Sequence, residues 1–383
     1  MYEATTPSAE VAPSLTRGKR LAFSAVLLVF LIALAEGAAR FVMSDALATG
    51  RKILLGRENV QLVRLQNTIG QPYLLYISAP NYRDPEHGLQ HNEDGYRGAV
   101  VPMDRQDGVY RILCLGGSTT YGVSVDRWEQ AYPAVLAELL RAEVPPGYRD
   151  VEVINGGLNW GTSAEMLNHY HFKYHYYRPD LVIINEGGND AQGYTLPYYH
   201  PDNSNWRQPL VNLRPLPRGL RWLAYPRLGS LVILNVFYSD QLKGGQFVIR
   251  NGAKPPAPWF KPGGQLVVKP REMPREHLSF LHNIRALIRS VQADGAQVLL
   301  VPFRAAPKGY RGKDFELSQI LRHEKLFQEL AAEHKLGFAP FPASAISPGN
   351  WTDHCHLNAA GEREKATHIA AFVRPLMQAA APR

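Results

Sequence analysis

"VYRILCLGGSTTYG", Val109 to Gly122, is where the pattern of the chain becomes regular. Its first part is almost all apolar and reads as a buried strand, which Gly116 ends. A second glycine, a serine and two threonines follow. Three readings fit such a turn: a plain reversal that caps a helix, a phosphate cradle, or the seat of a nucleophilic serine. A P-loop closes on Gly-Lys-Ser/Thr, and no lysine lies here. The dinucleotide pattern needs three glycines at fixed offsets, and Gly116, Gly117 and Gly122 have the wrong spacing. The cap and the nucleophile remain.

Outward from this stretch the same alternation repeats. "VEVIN" (Val151–Asn155), "AQVLLVPF" (Ala296–Phe303) and "FAPF" (Phe338–Phe341) read as further strands, and "DLVIINEGGND" (Asp180–Asp190) as a strand running into a glycine turn. Helical spacing marks "QAYPAVLAELLRA" (Gln130–Ala142), "SAEMLNHYHFKYHYY" (Ser163–Tyr177) and residues 277–295, 317–337 and 358–378. Apolar strands that alternate with helices predict an α/β fold with three α/β/α layers around a five-stranded parallel sheet. This domain is expected over residues 108–380. An insertion or lid at about 194–274, rich in Pro, Trp, Tyr and Arg, interrupts it. Residues 44–107 read as an extension of loops and extended structure, and residues 1–16 as a disordered polar tail.

The N-terminus carries a different signal. Arg17, Lys19 and Arg20 precede "LAFSAVLLVFLIALA", Leu21 to Ala35. That apolar run is shorter than the roughly 20 residues of a spanning helix. Extension to Met43 reaches the length and includes Glu36 and Arg40, long side chains that reach towards the interface. Residues 21–43 are therefore an uncleaved transmembrane anchor, the favoured reading, or a signal segment cut after "ALA" at Ala35. Either way the basic flank predicts that residues 1–20 stay cytoplasmic and the remainder is exported. The whole chain of 383 residues is 45% hydrophobic and 20% charged, an ordinary globular balance. A net charge of +8 favours acidic partners such as anionic lipid or polysaccharide. Nucleic acid is not expected, because no long Lys/Arg run with interleaved aromatics occurs. Two cysteines rule out a disulfide framework.

In an open parallel sheet, ligands bind beyond the carboxyl ends of the strands. Four polar clusters fall at such positions. Ser118 follows the first strand, "NGGLNWGTS" (Asn155–Ser163) the second and "GGND" (Gly187–Asp190) the third, while "DHCHLN" (Asp353–Asn358) precedes the last helix. A serine hydroxyl is a weak nucleophile and needs a base oriented by a third group. Asp353 and His356 are three residues apart, so one loop can present both, with the carboxylate holding the imidazole and the imidazole facing the serine. The structural alternatives are a turn with a helix cap for Gly-Gly-Ser and an N-cap for Asp353.

Thr120 stands where the lipase nucleophile elbow has its second glycine, so that elbow does not fit. Over about residues 108–193 and 275–378 the chain instead resembles the SGNH/GDSL hydrolase family. Its four blocks appear in order as Gly116-Gly117-Ser118, the Asn155–Ser163 stretch, Gly187-Gly188-Asn189-Asp190 and Asp353-His354-Cys355-His356. The resemblance implies a flavodoxin-like fold and an oxyanion hole made by the Ser118 backbone N–H, a glycine N–H and the Asn189 side chain. Two departures stand out. Gly117 replaces the aspartate usual before the serine, and ungapped alignment puts Trp160 at the second-block glycine, with Gly161 next. Gly161 is the expected donor and Gly157 the reserve.

The reading is an exported, membrane-anchored serine hydrolase that cleaves O-acyl esters through Ser118, His356 and Asp353. The ester is expected on a polysaccharide or lipid, acetylated polysaccharide being the family's habit. No cofactor and no metal are called for. An acyltransferase, or a non-catalytic carbohydrate-binding or assembly protein on the same fold, is the alternative. "DHCH" is not read as a metal site, because adjacent residues do not converge on a tetrahedral ion. His169, His171 and His175 read as polar positions of an amphipathic helix, Cys114 as core, and Cys355 as a neighbour of the site without a catalytic role. Arg304, on the active rim, reads as a structural ion pair, with contact to an anionic or polyol substrate as its alternative.

Overall fold

Every residue of Val109–Gly116 is buried, as a strand covered on both faces requires. This strand, β1, is joined by β2 (Asp150–Gly157), β3 (Leu181–Glu186), β4 (Gln297–Pro302) and β5 (Gly337–Phe338) in one parallel sheet of order β2-β1-β3-β4-β5. The computed structural model describes residues 16–43, 45–56, 67–71, 73–84, 88–144, 146–195, 201, 216–237, 278–307 and 314–380. The chain divides into two compact units, Met1–Glu58 with Leu213–Leu242, and Asn59–Asn212 with Lys243–Arg383.

The second unit holds the sheet. Successive side chains of a strand point to opposite faces. Leu113, Leu115, Val182, Ile184, Val298 and Leu300 therefore pack on one side with the helices Ser163–Phe172, Leu278–Ala293 and Asp314–His334. Tyr110, Ile112, Cys114, Leu181, Ile183 and Leu299 pack on the other with the helices Tyr132–Arg141 and Ala359–Gln378. These are the expected three layers, and Cys114 lies in the core. Register decides what happens at the rim. Gly116 pairs with Gly157 on β2 and with Asn185 on β3, so the first three polar clusters leave the sheet side by side.

Several boundaries differ from the sequence reading. The helix expected over Ser163–Tyr177 breaks at Lys173 and resumes as a tighter turn, Tyr174–Tyr177. Lys173 Nζ donates to the Asp94 carbonyl at 2.6 Å, while Tyr174 and Tyr177 turn into the core. The last strand stops at Phe338, although the Ala339 N–H still donates to the Leu300 carbonyl at 2.9 Å. β3 ends at Glu186 and runs into the expected glycine turn, with Gly187 at φ +137°, but a helix, Gly188–Thr195, starts directly after it. Residues 44–107 contain an unanticipated helix, Asp45–Leu54, and two short hairpins, Thr68–Gln71 with Leu75–Ser78 and Arg83–Asp84 with Leu89–Gln90. The expected insertion lies mostly outside the described residues. Within it, residues 216–237 form a 3₁₀ segment, Arg218–Ala224, and a helix, Arg227–Phe237, in the first unit. The tail expected to be disordered is outside the described residues except for Thr16.

In the first unit the helix Arg17–Val42 is 26 residues long, with a mean hydropathy of 2.3 over its most apolar window, and is long and apolar enough to cross a membrane. Such a helix serves equally as an anchor or a signal sequence. Both Glu36 carboxylate oxygens accept backbone N–H groups at the start of the helix Arg227–Phe237, from Arg227 and Leu228 at 2.9 Å each.

Candidate active site

Ser118 opens a single helical turn, Ser118–Tyr121, capped by Gly117 and closed by Gly122 at φ +77°. Crowding explains both glycines before the serine. A Cβ on Gly116 would run into the Thr120 side chain and lie 2.6 Å from the Asn185 carbonyl oxygen. A Cβ on Gly117 would lie 2.7 Å from Asn189 Nδ2 and 2.7 Å from Glu186 Oε2. The space that a Gly117 side chain would enter is therefore taken by the Asn189 amide and by a carboxylate from the end of β3.

The loop before the last helix presents the other two groups. An antiparallel bridge, Trp351 to Leu357, pinches it, and the Thr352 N–H donates to the His356 carbonyl at 2.9 Å. His356 Nε2 lies 2.7 Å from Ser118 Oγ, and His356 Nδ1 lies 2.7 Å from Asp353 Oδ2. Asp353 Oδ1 accepts the N–H groups of Cys355 and His356 at 2.8 Å each. Burial alone would raise the Asp353 carboxyl. The hydrogen bond and charge of His356, with the two backbone donors, outweigh it and hold the group well below the usual carboxylate range. An ionised Asp353 fixes the tautomer with the proton on Nδ1, which leaves Nε2 to accept from the serine hydroxyl. The arrangement can pass a proton from serine to imidazole.

The second and third clusters lock together on the same rim. Asn189 Nδ2 donates to the Gly161 carbonyl at 2.8 Å, and Asp190 accepts from the Ser163 backbone N–H at 2.9 Å and hydroxyl at 2.6 Å. Gly161 spends its own N–H on the Leu158 carbonyl at 2.7 Å. Gly157 uses its N–H on Asn155 Oδ1 at 3.0 Å. The left-handed backbone of this turn falls on Trp160, at φ +63°. The ungapped position, not its neighbour, thus has the conformation that glycine would favour.

Three supports escaped sequence reading. Glu186 is buried, and its Oε1 accepts the Asn189 N–H at 3.0 Å. Burial first, and then the charge of Asp190, push its carboxyl up to about 8, against the pull of the Gly187, Asn189 and Gly188 N–H groups. Lys365 is also buried, donating to the Thr119 carbonyl at 3.0 Å and Asn185 Oδ1 at 2.7 Å, with the Tyr132 ring 4.3 Å away. Burial lowers this lysine and raises its neighbour Glu362. Finally, residues before Val109 brace the turn from outside. Asn67 and His91 reach the Tyr121 hydroxyl at 3.1 and 2.6 Å. Arg97, fully buried, donates to the carbonyls of Gly122, Val125 and Asp126. No spacing marks these three positions as partners of Ser118.

The remaining candidates are engaged elsewhere. Arg304 Nη2 meets both Glu324 carboxylate oxygens at 2.8 Å, the ion pair expected of it. His169 is buried, with Nε2 3.0 Å from the Tyr76 carbonyl, so it is not on a polar face; His171 is exposed. Among the described residues, Asp353, His354 and Cys355 have ligand atoms within 4.8 Å of one another. Asp353 is committed to His356, and burial pushes the Cys355 thiol well up, away from the thiolate a metal needs. The Cys355 sulfur lies 3.7 Å from His356 Nδ1.

Three α/β/α layers, with a serine, a histidine and an aspartate meeting on the carboxyl rim of the sheet, are the arrangement that the SGNH resemblance implies. The family model for the GDSL-like Lipase/Acylhydrolase family matches residues 114–364. The chain belongs to this family and acts on ester bonds. Among solved structures it is similar to TesA, at 19% identity over 70% of this chain and 99% of that one, TM-score 0.41. It is similar to the lipase/acylhydrolase from Enterococcus faecalis, at 16% identity over 72% and 98%, TM-score 0.41. It is also similar to a catalytic mutant of an acetylxylan esterase from Geobacillus stearothermophilus, at 13% identity over 69% and 94%, TM-score 0.41. Comparison with curated proteins finds no match.

Proposed function

We propose that Ser118 is the nucleophile of an exported, membrane-anchored esterase. Its Oγ bonds to the carbonyl carbon of an O-acyl ester while the hydroxyl proton passes to His356 Nε2. Asp353 orients the ring and stabilises the imidazolium that forms. The carbonyl oxygen becomes an oxyanion, received by the Ser118 backbone N–H and by Asn189 Nδ2, whose second hydrogen is not needed by Gly161. The imidazolium then protonates the leaving alkoxide. Water, deprotonated by His356, cleaves the acyl-enzyme and releases the acid. The observation that carries this reading is the unbroken line of two 2.7 Å contacts from Asp353 through His356 to Ser118. The second-block donor named from sequence, Gly161, is better read as a carbonyl that holds Asn189, because its N–H is on Leu158.

The basic flank of Arg17–Val42 supports export of the catalytic unit, and the surplus of positive charge fits an acylated polysaccharide or lipid as the alcohol side. An acyl acceptor other than water would make the same machinery a transferase. A fluorophosphonate probe tests the assignment. One adduct is expected by intact mass, absent in Ser118→Ala, which should also lose hydrolysis of short-chain aryl esters. Labelling of another serine, or activity that survives Ser118→Ala, would overturn it.

A further inference from the structure

We propose that residues 216–237 lie in the membrane interface beside the helix Arg17–Val42, so that the first unit holds lipid through a ledge as well as an anchor. The proposal rests on reading that helix as a retained anchor. Glu36 is the one acidic residue of the helix Arg17–Val42, and its carboxylate caps the helix Arg227–Phe237 through two N–H donors. The ledge is thereby fixed where the apolar core of the anchor runs out, at the depth of a membrane surface. Ala39, next to this contact, is buried, whereas the helix from Leu21 to Leu34 is exposed. Two further bonds tie the ledge to the helix Asp45–Leu54. Leu216 N–H donates to the Leu54 carbonyl at 3.0 Å, and Arg51 Nη2 to the Tyr225 carbonyl at 2.6 Å.

The outer face of the ledge is apolar. Leu220, Trp222, Leu223, Tyr225, Val232 and Val236 are exposed, Trp222 to 62% and Val236 to 65%. Clustered exposure of this kind marks an interaction surface. The chemistry of the segment selects lipid as the occupant. Residues 216–237 carry Arg218, Arg221 and Arg227 and no acidic residue. Aromatic rings with a polar edge settle at headgroup level, and arginines meet anionic headgroups there. The exposed apolar residues of Arg17–Val42 belong to the same compact unit. An amphipathic segment so placed buries its apolar side about 5–10 Å into the headgroup and acyl boundary.

The test uses the full chain in vesicles of phosphatidylcholine and phosphatidylglycerol. Single cysteines replace Phe30, Val232, Val236 and, as a control on the helix Asp314–His334, Leu321, and each carries an environment-sensitive fluorophore. Cys114 and Cys355 are buried, so the unsubstituted chain is the blank. Labels at 30, 232 and 236 should lose emission to lipid-borne spin labels and resist aqueous iodide, while the label at 321 should do the reverse. Lipid quenching at 30 with iodide quenching at 232 and 236 would overturn the ledge and leave the anchor standing. Iodide quenching at all three would overturn both. Shielding of 232 and 236 from both quenchers would mean a protein partner, and would overturn lipid as the occupant. Trp222→Phe gives a reading that needs no label, with an expected loss of the intrinsic emission that brominated lipid quenches. Unchanged quenching there would count against the ledge.

Discussion

Asn189 and Glu186 both crowd the place a Gly117 side chain would take, and each makes a different demand on the chemistry. Asn189 should act mainly in the transition state, when the substrate oxygen carries charge. Asn189→Ala is expected to lower kcat by about 100- to 1000-fold with little change in KM. Steady-state rates on an aryl ester check this, and near-full turnover would remove Asn189 from the oxyanion hole. Glu186 makes a statement about stability. Its carboxyl ionises near 4.5 when exposed and near 8 in the folded chain, so between those values the folded state keeps a proton that the unfolded state releases. Stability from this group is complete below the lower value and is lost as pH rises to the upper one. Glu186→Gln cannot ionise. Denaturation in detergent at pH about 5 and about 8.5 should therefore show the parent losing ground to the variant as pH rises. Parallel behaviour of the two proteins would refute the buried-acid account. That Ser118, Asp353 and His356 meet was legible in the sequence, because their spacing and order match a family pattern. Glu186 was not, because it ends an apolar strand and nothing local says which side chain its carboxylate displaces.

The elements that carry the site were legible to differing degrees. β1 to β4 announced themselves as apolar runs, and both long C-terminal helices by their periodicity. The short hairpins and the helix Asp45–Leu54 did not, since their stability comes from what they pack on rather than from a sustained pattern. The consequence is greatest before Val109, where a segment read as an appendage braces the turn that holds Ser118. Arg97→Ala would strip donors from the carbonyls of Gly122, Val125 and Asp126 inside the protein. A cost of about 3 kcal/mol is expected, since buried acceptors lose a charged partner. The denaturation midpoint and the rate of fluorophosphonate labelling should fall together. An unchanged labelling rate in a folded Arg97→Ala protein would show that the brace is not coupled to Ser118.

For the whole molecule, the prediction concerns the side of the membrane on which each part would lie. The Arg17, Lys19 and Arg20 flank predicts residues 1–20 in the cytoplasm and the hydrolase outside. Reporter fusions after residue 60 should be active only when the reporter works outside the cytoplasm. A mature product that begins at Glu36 would show cleavage and remove the anchor. The sequence by itself determined the class of this protein, a parallel α/β hydrolase with a serine, histidine and aspartate on one rim and an apolar helix at its start. It could do so because strand and helix periods, glycine turns and short motif spacings are local properties of a chain. Only the tertiary structure decided that Glu186 fills the space at Gly117 and that Trp160 rather than Gly161 takes the left-handed turn. It also placed Lys365 and Arg97 around the turn of Ser118, and Glu36 on a helix start nearly two hundred residues away. Those are pairings of distant residues, and whether a charge is solvated or buried depends on neighbours that the linear order does not reveal.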